Sequence, residues 1–285
     1  MKKRKFSKKR IAKLIYKLRG PLKCGAAKKL AEIGVPAIEP ICKALKTSDM
    51  MVRHHAAHAL VLIGAPCVIP LCRKLKHPHK GVRVDASSVF RRIGPSALEP
   101  LSSVLHDPSF GTYARCTAAI SLGIIRDNRA VPHLCLVLKD EDVGVRRAAA
   151  ESLGRITDAR ALDFLFLALR DEEQTVRSEA VWALVRFDDT RSVVPLMLVM
   201  ADPVPGVRAD AASALGSMGD VRAVPLLCIA LQDAAHIVRL FAAEALGKLG
   251  DRSAVPALQL LIDTEPYWTG VGKVAKEALA ELGVE

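Results

Sequence analysis

The sequence predicts an all-α solenoid, a superhelix of about nine helical hairpins with a period of about 31 residues. Arginines recur at intervals of 30 to 32 residues, a period typical of stacked supersecondary repeats. Between them, apolar residues recur at helical spacing, and no segment shows the alternation that a strand requires. The seven arginines, six of which follow valine, are Arg53, Arg83, Arg115, Arg146, Arg177, Arg208 and Arg239.

The repeat unit is clearest between Asp127 and Thr157, where two helical segments flank a polar turn. Asp127 is placed to cap the first helix, because its carboxylate can accept a hydrogen bond from a free backbone N–H. A second, alanine-rich helix is expected from about 145 to 156, and its small side chains would let helices approach closely. A unit this short cannot bury its apolar faces alone, so neighbouring units must cover them.

Each predicted unit ends at a position where a helix is expected to stop in the left-handed conformation. Glycine adopts this conformation without steric cost, and it occupies six of the nine positions. The predicted ends are Gly34, Gly64, Gly94, Arg126, Thr157, Asp188, Gly219, Gly250 and Gly283.

Charge is distributed unevenly along the chain. Residues 1–92 hold 23 Lys and Arg against 4 Asp and Glu, whereas residues 93–285 hold 19 against 26. We expect a basic N-terminal arm over 1–10 and a single solenoid over 11–285, with strongly basic units over 11–94 and mildly acidic units over 95–285. The basic part indicates an acidic partner.

The segment Asp233 to Pro256 carries the pattern Asp-x-x-x-x-Val-Arg-x-x-Ala-Ala-x-x-Leu-Gly, followed by Asp-x-x-Ala-Val-Pro. This pattern resembles HEAT repeats of the phycobilin-lyase-like (PBS lyase HEAT-like) class, and it recurs over nearly the whole chain. The resemblance implies that the Val-Arg helices line the concave side and the other helices the convex side. The class includes scaffolds, chromophore-attachment factors and an iron hydroxylase, so the resemblance implies the fold more strongly than the function.

The leading functional hypothesis is a non-enzymatic scaffold that binds a protein partner on its concave face. Trp182 is the expected anchor, because a tryptophan within a polar rim is typical of an interface. No catalytic residue and no cofactor are predicted, and a phycobilin lyase-like subunit is a further alternative. The chain contains no His-Glu dipeptide, which disfavours the hydroxylase activity. The predicted partner-binding residues are Glu151, Arg155, Trp182, Arg186, Glu244 and Lys248.

Binding of nucleic acid or another polyanion is the second hypothesis. Clustered cations bind phosphates, and the scarcity of aromatic residues in this region disfavours sequence-specific stacking on bases. Within residues 11–19, Ile11, Leu14, Ile15 and Leu18 form one apolar stripe, which predicts the first outer helix. The candidate polyanion-binding residues are Lys2, Lys3, Arg4, Lys5, Lys8, Lys9, Arg10, Lys28, Lys29, Arg91 and Arg92.

The seven periodic arginines, here called the ladder arginines, are interpreted as structural. An aspartate in the turn before each of the later ladder arginines is expected to help bridge adjacent units. Among other candidates, His54 and His58 are four residues apart on one predicted helix, a spacing that can hold a metal. We nevertheless expect a solvated histidine face and no metal, although His77 and His79 are near in sequence.

The remaining features favour an ordinary intracellular protein. Seven scattered cysteines form no C-x-x-C pair, so we expect buried thiols rather than disulfides or zinc ligands. No apolar stretch reaches the roughly 20 residues that a membrane span needs, and no signal peptide is visible. We therefore expect a cytoplasmic monomer. Tyr267 and Trp268 are expected to cover the apolar edge of the last unit.

Overall fold

The computed structural model describes residues 8–20, 23–73, 80–265 and 268–284, and only the backbone of 80–83. Within these ranges the chain is helical without strands, which confirms the predicted fold class. The chain divides into two compact units, Met1–Ile156 (unit 1) and Thr157–Glu285 (unit 2). The predicted residues Lys2, Lys3, Arg4, Lys5, His77, His79 and Tyr267, and the side chain of Arg83, lie outside the described part.

Unit 1 contains five helical hairpins, each made of an odd-numbered outer helix and an even-numbered inner helix. The ladder arginines of this unit lie on the inner helices. The helices are α1 (Lys8–Tyr16), α2 (Lys23–Ile33), α3 (Val35–Ala44), α4 (Met50–Ile63), α5 (Val68–Cys72), α6 (Lys80–Ile93), α7 (Leu98–His106), α8 (Thr112–Ile125), α9 (Val131–Leu136) and α10 (Val143–Ile156).

Unit 2 contains four hairpins of the same kind, so the described residues form the nine hairpins that the period predicts. Its helices are α11 (Leu162–Ala168), α12 (Gln174–Phe187), α13 (Val193–Val199), α14 (Pro205–Met218), α15 (Val224–Ala230), α16 (His236–Leu249), α17 (Val255–Thr264) and α18 (Gly270–Glu281).

All nine predicted stop positions have a positive φ, between 50° and 78°. Arg126 and Asp188 adopt the left-handed helical conformation despite a Cβ atom, as do Gly219 and Gly250. Gly34 and Gly64 differ from the prediction, because their ψ angles of −137° and −151° lie in a region that essentially only glycine can adopt. Because neither conformation can continue a helix, the chain turns at each position into the next outer helix. In the later hairpins that outer helix begins at an aspartate, as expected for Asp127, whose side chain accepts a hydrogen bond from the Arg129 N–H at 3.0 Å.

Small residues let the inner helices pack closely. A Cβ atom built on Gly216 of α14 would lie 2.6 Å from Ala245 Cα of α16, and one on Gly123 of α8 would lie 2.7 Å from Ser152 Cα of α10. These separations are too short for any side chain, so both positions require glycine. The core between the helices is otherwise made mainly of alanine, leucine and valine side chains, with some isoleucine and cysteine, that are almost fully buried.

Helix α1 begins earlier than the predicted basic arm would allow. Lys8, Lys9 and Arg10 form its first described turn, so these three residues belong to the first hairpin. Ile11 and Leu14 are buried within it and Leu18 is buried just beyond it, as the apolar stripe predicts. Ile15 is half-buried and lines a groove of about 750 Å³ between α1 and α3.

Candidate functional site

The ladder arginines Arg177 and Arg208 of unit 2 form ion pairs with aspartates of the next hairpin. Arg177 holds the Asp202 carboxylate through two hydrogen bonds of 2.6 and 2.9 Å, and donates to two backbone carbonyls of its own preceding turn. The side chains of this pair are only 10% and 7% exposed. Arg208 repeats the arrangement with Asp233 at 2.7 Å. Each pair therefore ties one hairpin to the next.

Unit 1 contains two ion pairs of the same kind, one short and largely buried and the other longer and half-buried. Arg115 pairs with Asp140 and is largely buried. Arg53 approaches Asp85 at 3.4 Å, and both side chains are 28% exposed. Burial raises the pKa of Asp85 and outweighs the opposing effects of Arg53 and His54. The Arg53–Asp85 pair therefore constrains the fold less than the pairs of unit 2.

A second series of ion pairs lies where the outer helices begin. Arg191 holds Asp189 at 2.7 Å, and its hydrogen bonds are the main cause that lowers the pKa of this aspartate to about 2. Each such arginine is neutralised by the aspartate two residues before it, so the series contributes little net charge. The other pairs are Asp127–Arg129, Asp158–Arg160 and Asp220–Arg222.

In unit 1, the residues predicted to bind a protein partner pair with each other. Arg155 and Glu151 of α10 form an ion pair of 2.6 Å. Their charges are therefore partly satisfied within one helix, and Arg155 remains 38% exposed at its side chain.

In unit 2, the predicted anchor Trp182 is half-buried and donates from its indole Nε1 to Asp210 at 3.2 Å. Arg186 lies 3.7 Å from Glu179, and Lys248 pairs with Glu244 at 2.6 Å. Asp210 was not among the predicted residues, although it lies two residues after the ladder arginine of its helix.

Three inner helices of unit 1 bring cationic side chains together. On α4, Nδ1 of His58 lies 3.0 Å from a guanidinium nitrogen of Arg92 on α6. Burial lowers the pKa of His58, and the charges of Arg92, His54 and Lys28 lower it further. We call Lys23, Lys28, His54, His58 and Arg92 the basic cluster.

His55 lies beneath this surface and is only 7% exposed. Neither of its ring nitrogens has a hydrogen-bond partner among the residues that the structure describes. Burial lowers the pKa of His55, followed by the charges of His54, Lys23 and His58. A buried neutral imidazole therefore adjoins the cations. Neither His55 nor Lys23 was predicted as a site residue; the excess of cations in this part of the chain points to Lys23 but not to the buried His55.

The four carboxylates within residues 1–92 do little to neutralise these cations. Asp49 caps α4 by accepting hydrogen bonds from the backbone N–H groups of Met51 and Val52. Asp85 faces Arg53, and Glu39 lies on outer helix α3. Glu32 is exposed near the end of α2. The other predicted polyanion-binding residues in the described part, Lys8, Lys9, Arg10, Lys29 and Arg91, are all exposed.

The rings of His54 and His55 lie 5.2 Å apart in an edge-on arrangement, and across the described ranges no three His, Cys, Asp or Glu side chains are grouped to hold a metal ion. Cys42, Cys67, Cys72 and Cys135 are buried as expected, and burial raises the pKa of Cys67 to about 12, but Cys24 is exposed. No described helix is both long and apolar enough to cross a membrane.

The expectation for Trp268 is wrong, because its side chain is 75% exposed and does not cover the last hairpin. The chain on either side of it is anchored. Glu265 pairs with Arg239, and the Thr269 hydroxyl accepts a hydrogen bond from the Gly272 N–H at 2.9 Å. These two contacts leave the indole on the solvent side of the loop before α18.

Comparisons with solved structures agree with the fold. The YibA protein of Escherichia coli is 20% identical over the full length of both chains, with a TM-score of 0.56. Kap121p is 15% identical, with a TM-score of 0.59 over 98% of this chain and 38% of its own. Kap95p, in a structure that describes its binding to RanGDP, is 14% identical, with a TM-score of 0.61 over 96% of this chain and 47% of its own. A comparison with curated proteins found no match.

Two family models match the sequence itself. HEAT repeats match residues 133–216 and 193–280, and the PBS lyase HEAT-like repeat matches residues 114–140. Together with the nine hairpins, the left-handed stops and the arginine contacts between hairpins, these matches show that the chain belongs to the HEAT-repeat family.

Proposed function

We propose that this HEAT-repeat chain is a non-enzymatic binding platform whose main ligand is a nucleic acid, held through its phosphates by the basic cluster of unit 1. The observation that carries the proposal is the meeting of Lys28, His58 and Arg92 from three successive inner helices. Lys28 and Arg92 both lower the pKa of His58, so a bound anion would offset their charges and favour the imidazolium form of His58.

The charge of the whole unit supports the same ligand. Unit 1 contains 30 Lys and Arg against 11 Asp and Glu, whereas unit 2 contains 12 against 19. Cations that face a polyanion release its condensed counterions on binding, and this release supplies affinity that does not depend on sequence. The exposed cations of α1, including Lys8 and Lys9, extend the positive surface of the unit.

Contacts to phosphates position a protein on nucleic acid, whereas contacts to base edges specify a sequence. The basic cluster contains the exposed cations Lys28 and Arg92, the half-buried Lys23, and no aromatic ring other than imidazole. We therefore expect binding to duplexes of different sequence with similar affinity.

Fluorescence anisotropy of a labelled DNA duplex at rising salt concentration tests the proposal. The logarithm of affinity should fall linearly with the logarithm of salt concentration, with a slope of about −3 or steeper for three or more neutralised phosphates. The double variant Lys28→Glu/Arg92→Glu should bind at least about tenfold more weakly, because two cations become anions.

The matched control is Lys273→Glu/Lys276→Glu, which makes the same charge change at exposed positions of α18 in unit 2. Its affinity should stay within about twofold of the parent chain, because those lysines lie outside the site. No binding at low salt, or an equal loss in both variants, would reject the proposal.

A protein partner on the inner helices is the second candidate, and Trp182 favours it. The indole is held by Asp210 at 3.2 Å and stays half-exposed beside the exposed Arg186. A side chain that is already fixed loses little conformational entropy on binding, which suits an interface anchor. Trp182→Ala combined with Arg186→Glu should abolish capture of the partner in a pull-down from the native host, and unchanged capture would exclude this surface.

A further inference from the structure

The groove between the outer helices α1 and α3 has an apolar floor. Its volume of about 750 Å³ exceeds that of two grooves between outer helices of unit 2, which measure about 480 Å³ and about 260 Å³. Most residues that line it are apolar, and they include Ile15, Pro36, Pro40 and Ala44. Ligand sites are concave and mostly apolar with a few polar groups, so the groove has the form of a binding site.

Three unpaired cations border this floor. Lys8 lies in the first turn of α1, Arg19 follows the end of that helix, and Lys43 lies in the last turn of α3. All three side chains are exposed, and none has an ion-pair or hydrogen-bond partner among the residues that the structure describes. Against them, Glu39 is the one carboxylate among the described residues of the lining. The groove therefore has a net positive charge.

The two grooves of unit 2 differ in how they use charge. The groove between α11 and α13 contains Asp202, which pairs with Arg177. The groove between α15 and α17 contains Arg239 and Glu265, which pair with each other. Those charges hold neighbouring hairpins together, whereas the three cations at the α1–α3 groove remain available to a ligand.

The wall formed by α3 also offers a hydrogen-bond acceptor. Pro40 lies inside α3 and has no N–H to donate to the carbonyl of Pro36, four residues earlier. Both prolines line the groove, so this carbonyl lies on the same wall. A polypeptide can donate to it from an N–H or a hydroxyl group, whereas the hydrocarbon chain of a lipid cannot.

We propose that the α1–α3 groove binds an acidic amphipathic helix of a partner protein. Each outer helix is the first helix of its hairpin, so α1 and α3 run in the same direction. Lys8 therefore lies near one end of the groove, and Arg19 and Lys43 lie near the other. A fatty acid, with one anionic head group, would meet the cations of one end only. A helix with acidic residues near both ends meets all three.

The length of the groove sets the length of the bound helix. Helix α1 and the turn after it contain 9 and 3 residues, which together span about 20 Å. This distance corresponds to about three to four turns of a bound helix. Aliphatic side chains three and four residues apart on that helix pack on the floor, as in other complexes of a helix in a groove. An interface this short gives weak, transient binding.

Fluorescence anisotropy with two labelled synthetic peptides of about 14 residues tests the proposal. Both carry leucines at the spacing i, i+3, i+4 and i+7, and they differ in having glutamates or lysines near their ends. The glutamate peptide should bind the full chain at least about tenfold more tightly than the lysine peptide. Equal binding of the two, or no binding of the glutamate peptide up to about 1 mM, overturns the proposal.

Charge variants locate the bound peptide. Arg19→Glu/Lys43→Glu should weaken binding of the glutamate peptide at least about tenfold. The matched control Lys9→Glu/Lys13→Glu makes the same charge change at exposed positions of α1 outside the lining, and it should keep affinity within about threefold of the parent chain. An equal loss in both variants overturns the proposal.

The groove lies between outer helices, whereas the basic cluster lies on inner helices, so the two proposed sites can fail independently. Lys28→Glu/Arg92→Glu, which should lose the DNA duplex, should therefore still bind the glutamate peptide. Loss of the peptide in this variant would place it on the basic cluster and overturn the groove as its site.

A neutral variant tests the apolar floor. Ala12 is exposed and lines the groove, so Ala12→Gln places a longer side chain there without a change of charge. It should weaken the glutamate peptide about tenfold, while circular dichroism shows a folded chain. Phosphatidylserine vesicles should bind this variant and the parent chain equally. If the substitution weakens vesicle binding and leaves peptide binding unchanged, the groove is a lipid site and the proposal is overturned.

Discussion

In unit 2 the ladder arginines Arg177 and Arg208 are closed into short, largely buried pairs with aspartates of the next hairpin. In the first hairpins of unit 1, cations on α2, α4 and α6 face one another instead, and Arg53 pairs only loosely with Asp85. The same repeat thus uses charge for cohesion in unit 2 and at Arg115 of unit 1, and leaves cations available for a ligand in the first hairpins.

One exposed repeat position on the outer helices changes along the chain. It holds Lys43, Arg73 and Ser103 in the second to fourth hairpins and Leu136, Leu167, Leu198, Ile229 and Leu260 in the later ones, while the buried positions of both units are mostly small or aliphatic. The residue types at buried repeat positions therefore change little along the chain. Exposed repeat positions change more, and they are where binding is expected to lie.

The largest expected effect is the loss of stability when the aspartate of a ladder ion pair, Arg177–Asp202 or Arg53–Asp85, is replaced. Asp202→Asn should lower the free energy of unfolding by about 3 kcal/mol, because it leaves the buried guanidinium of Arg177 without its counter-charge. Asp85→Asn should change it by less than about 0.5 kcal/mol, because the pair is long and burial already disfavours the charged form of Asp85. Urea denaturation followed by circular dichroism measures both. Equal losses would show that the two units do not differ in this respect.

A second effect separates close helix packing from helix propensity. Gly216→Ala should destabilise the chain by about 2 kcal/mol, because the added methyl group would overlap Ala245 of the next inner helix. The control Gly206→Ala lies in the same helix with open space around it, and it should stabilise by about 0.5 kcal/mol. The same denaturation experiment applies. Similar signs for both variants would contradict the close approach.

A third effect concerns pH and the basic cluster. The pKa of His58 and of His55 is lowered in the folded chain, so the unfolded chain takes up protons first as pH falls below 6.5. Their contribution to stability is therefore present above pH 6.5 and lost as pH falls below it.

A bound phosphate reverses this preference, because it stabilises the imidazolium form. The affinity for a DNA duplex should rise about tenfold as pH falls from about 7.5 to about 5.5. Anisotropy titrations at several pH values measure this change, and His58→Gln should flatten the profile. A profile that is flat in the parent chain, or unchanged by the substitution, would remove His58 from the site.

The smallest effect concerns the helix stops. Arg126→Gly should stabilise the chain by about 1 kcal/mol, because φ at this position is 56° and a Cβ atom is strained there. Gly219→Ala, at the corresponding stop of unit 2, should destabilise by a similar amount. Thermal denaturation of the two variants is the measurement. If Arg126→Gly lowers the stability instead, contacts of the arginine side chain contribute more free energy than the strained backbone conformation costs.

The fold was predictable from the sequence because its signals are local and repeated. The ladder arginines set the period, the alanine-rich segments became inner helices, and all nine stop positions have a positive φ. The family matches confirm the HEAT-repeat prediction. The start of α1 was less predictable, since basic residues such as Lys8 suit a helix as well as a mobile arm.

The candidate site was predictable only in part. The excess of cations predicted Arg92 and Lys28 as site residues. Their proximity to His58 results from the packing of α2, α4 and α6, which the sequence did not predict. No pattern in the sequence indicates that His55 is buried, or that its ring nitrogens have no hydrogen-bond partner among the described residues. The predicted protein-binding residues stay a prediction, although each has a partner within the chain; the Asp210 partner of Trp182 lies on the next inner helix, where the sequence did not indicate it.

The sequence by itself determined the hairpins, their number and their boundaries, because helical periodicity, capping aspartates and left-handed stops act over a few residues. The tertiary structure alone decided which charges are neutralised and which apolar side chains remain exposed. Arg177 meets Asp202 and Arg92 meets His58 across 25 and 34 residues of chain. Contacts between residues so far apart in sequence depend on how the hairpins stack. The local sequence does not specify the distance between the two side chains or how deeply they are buried.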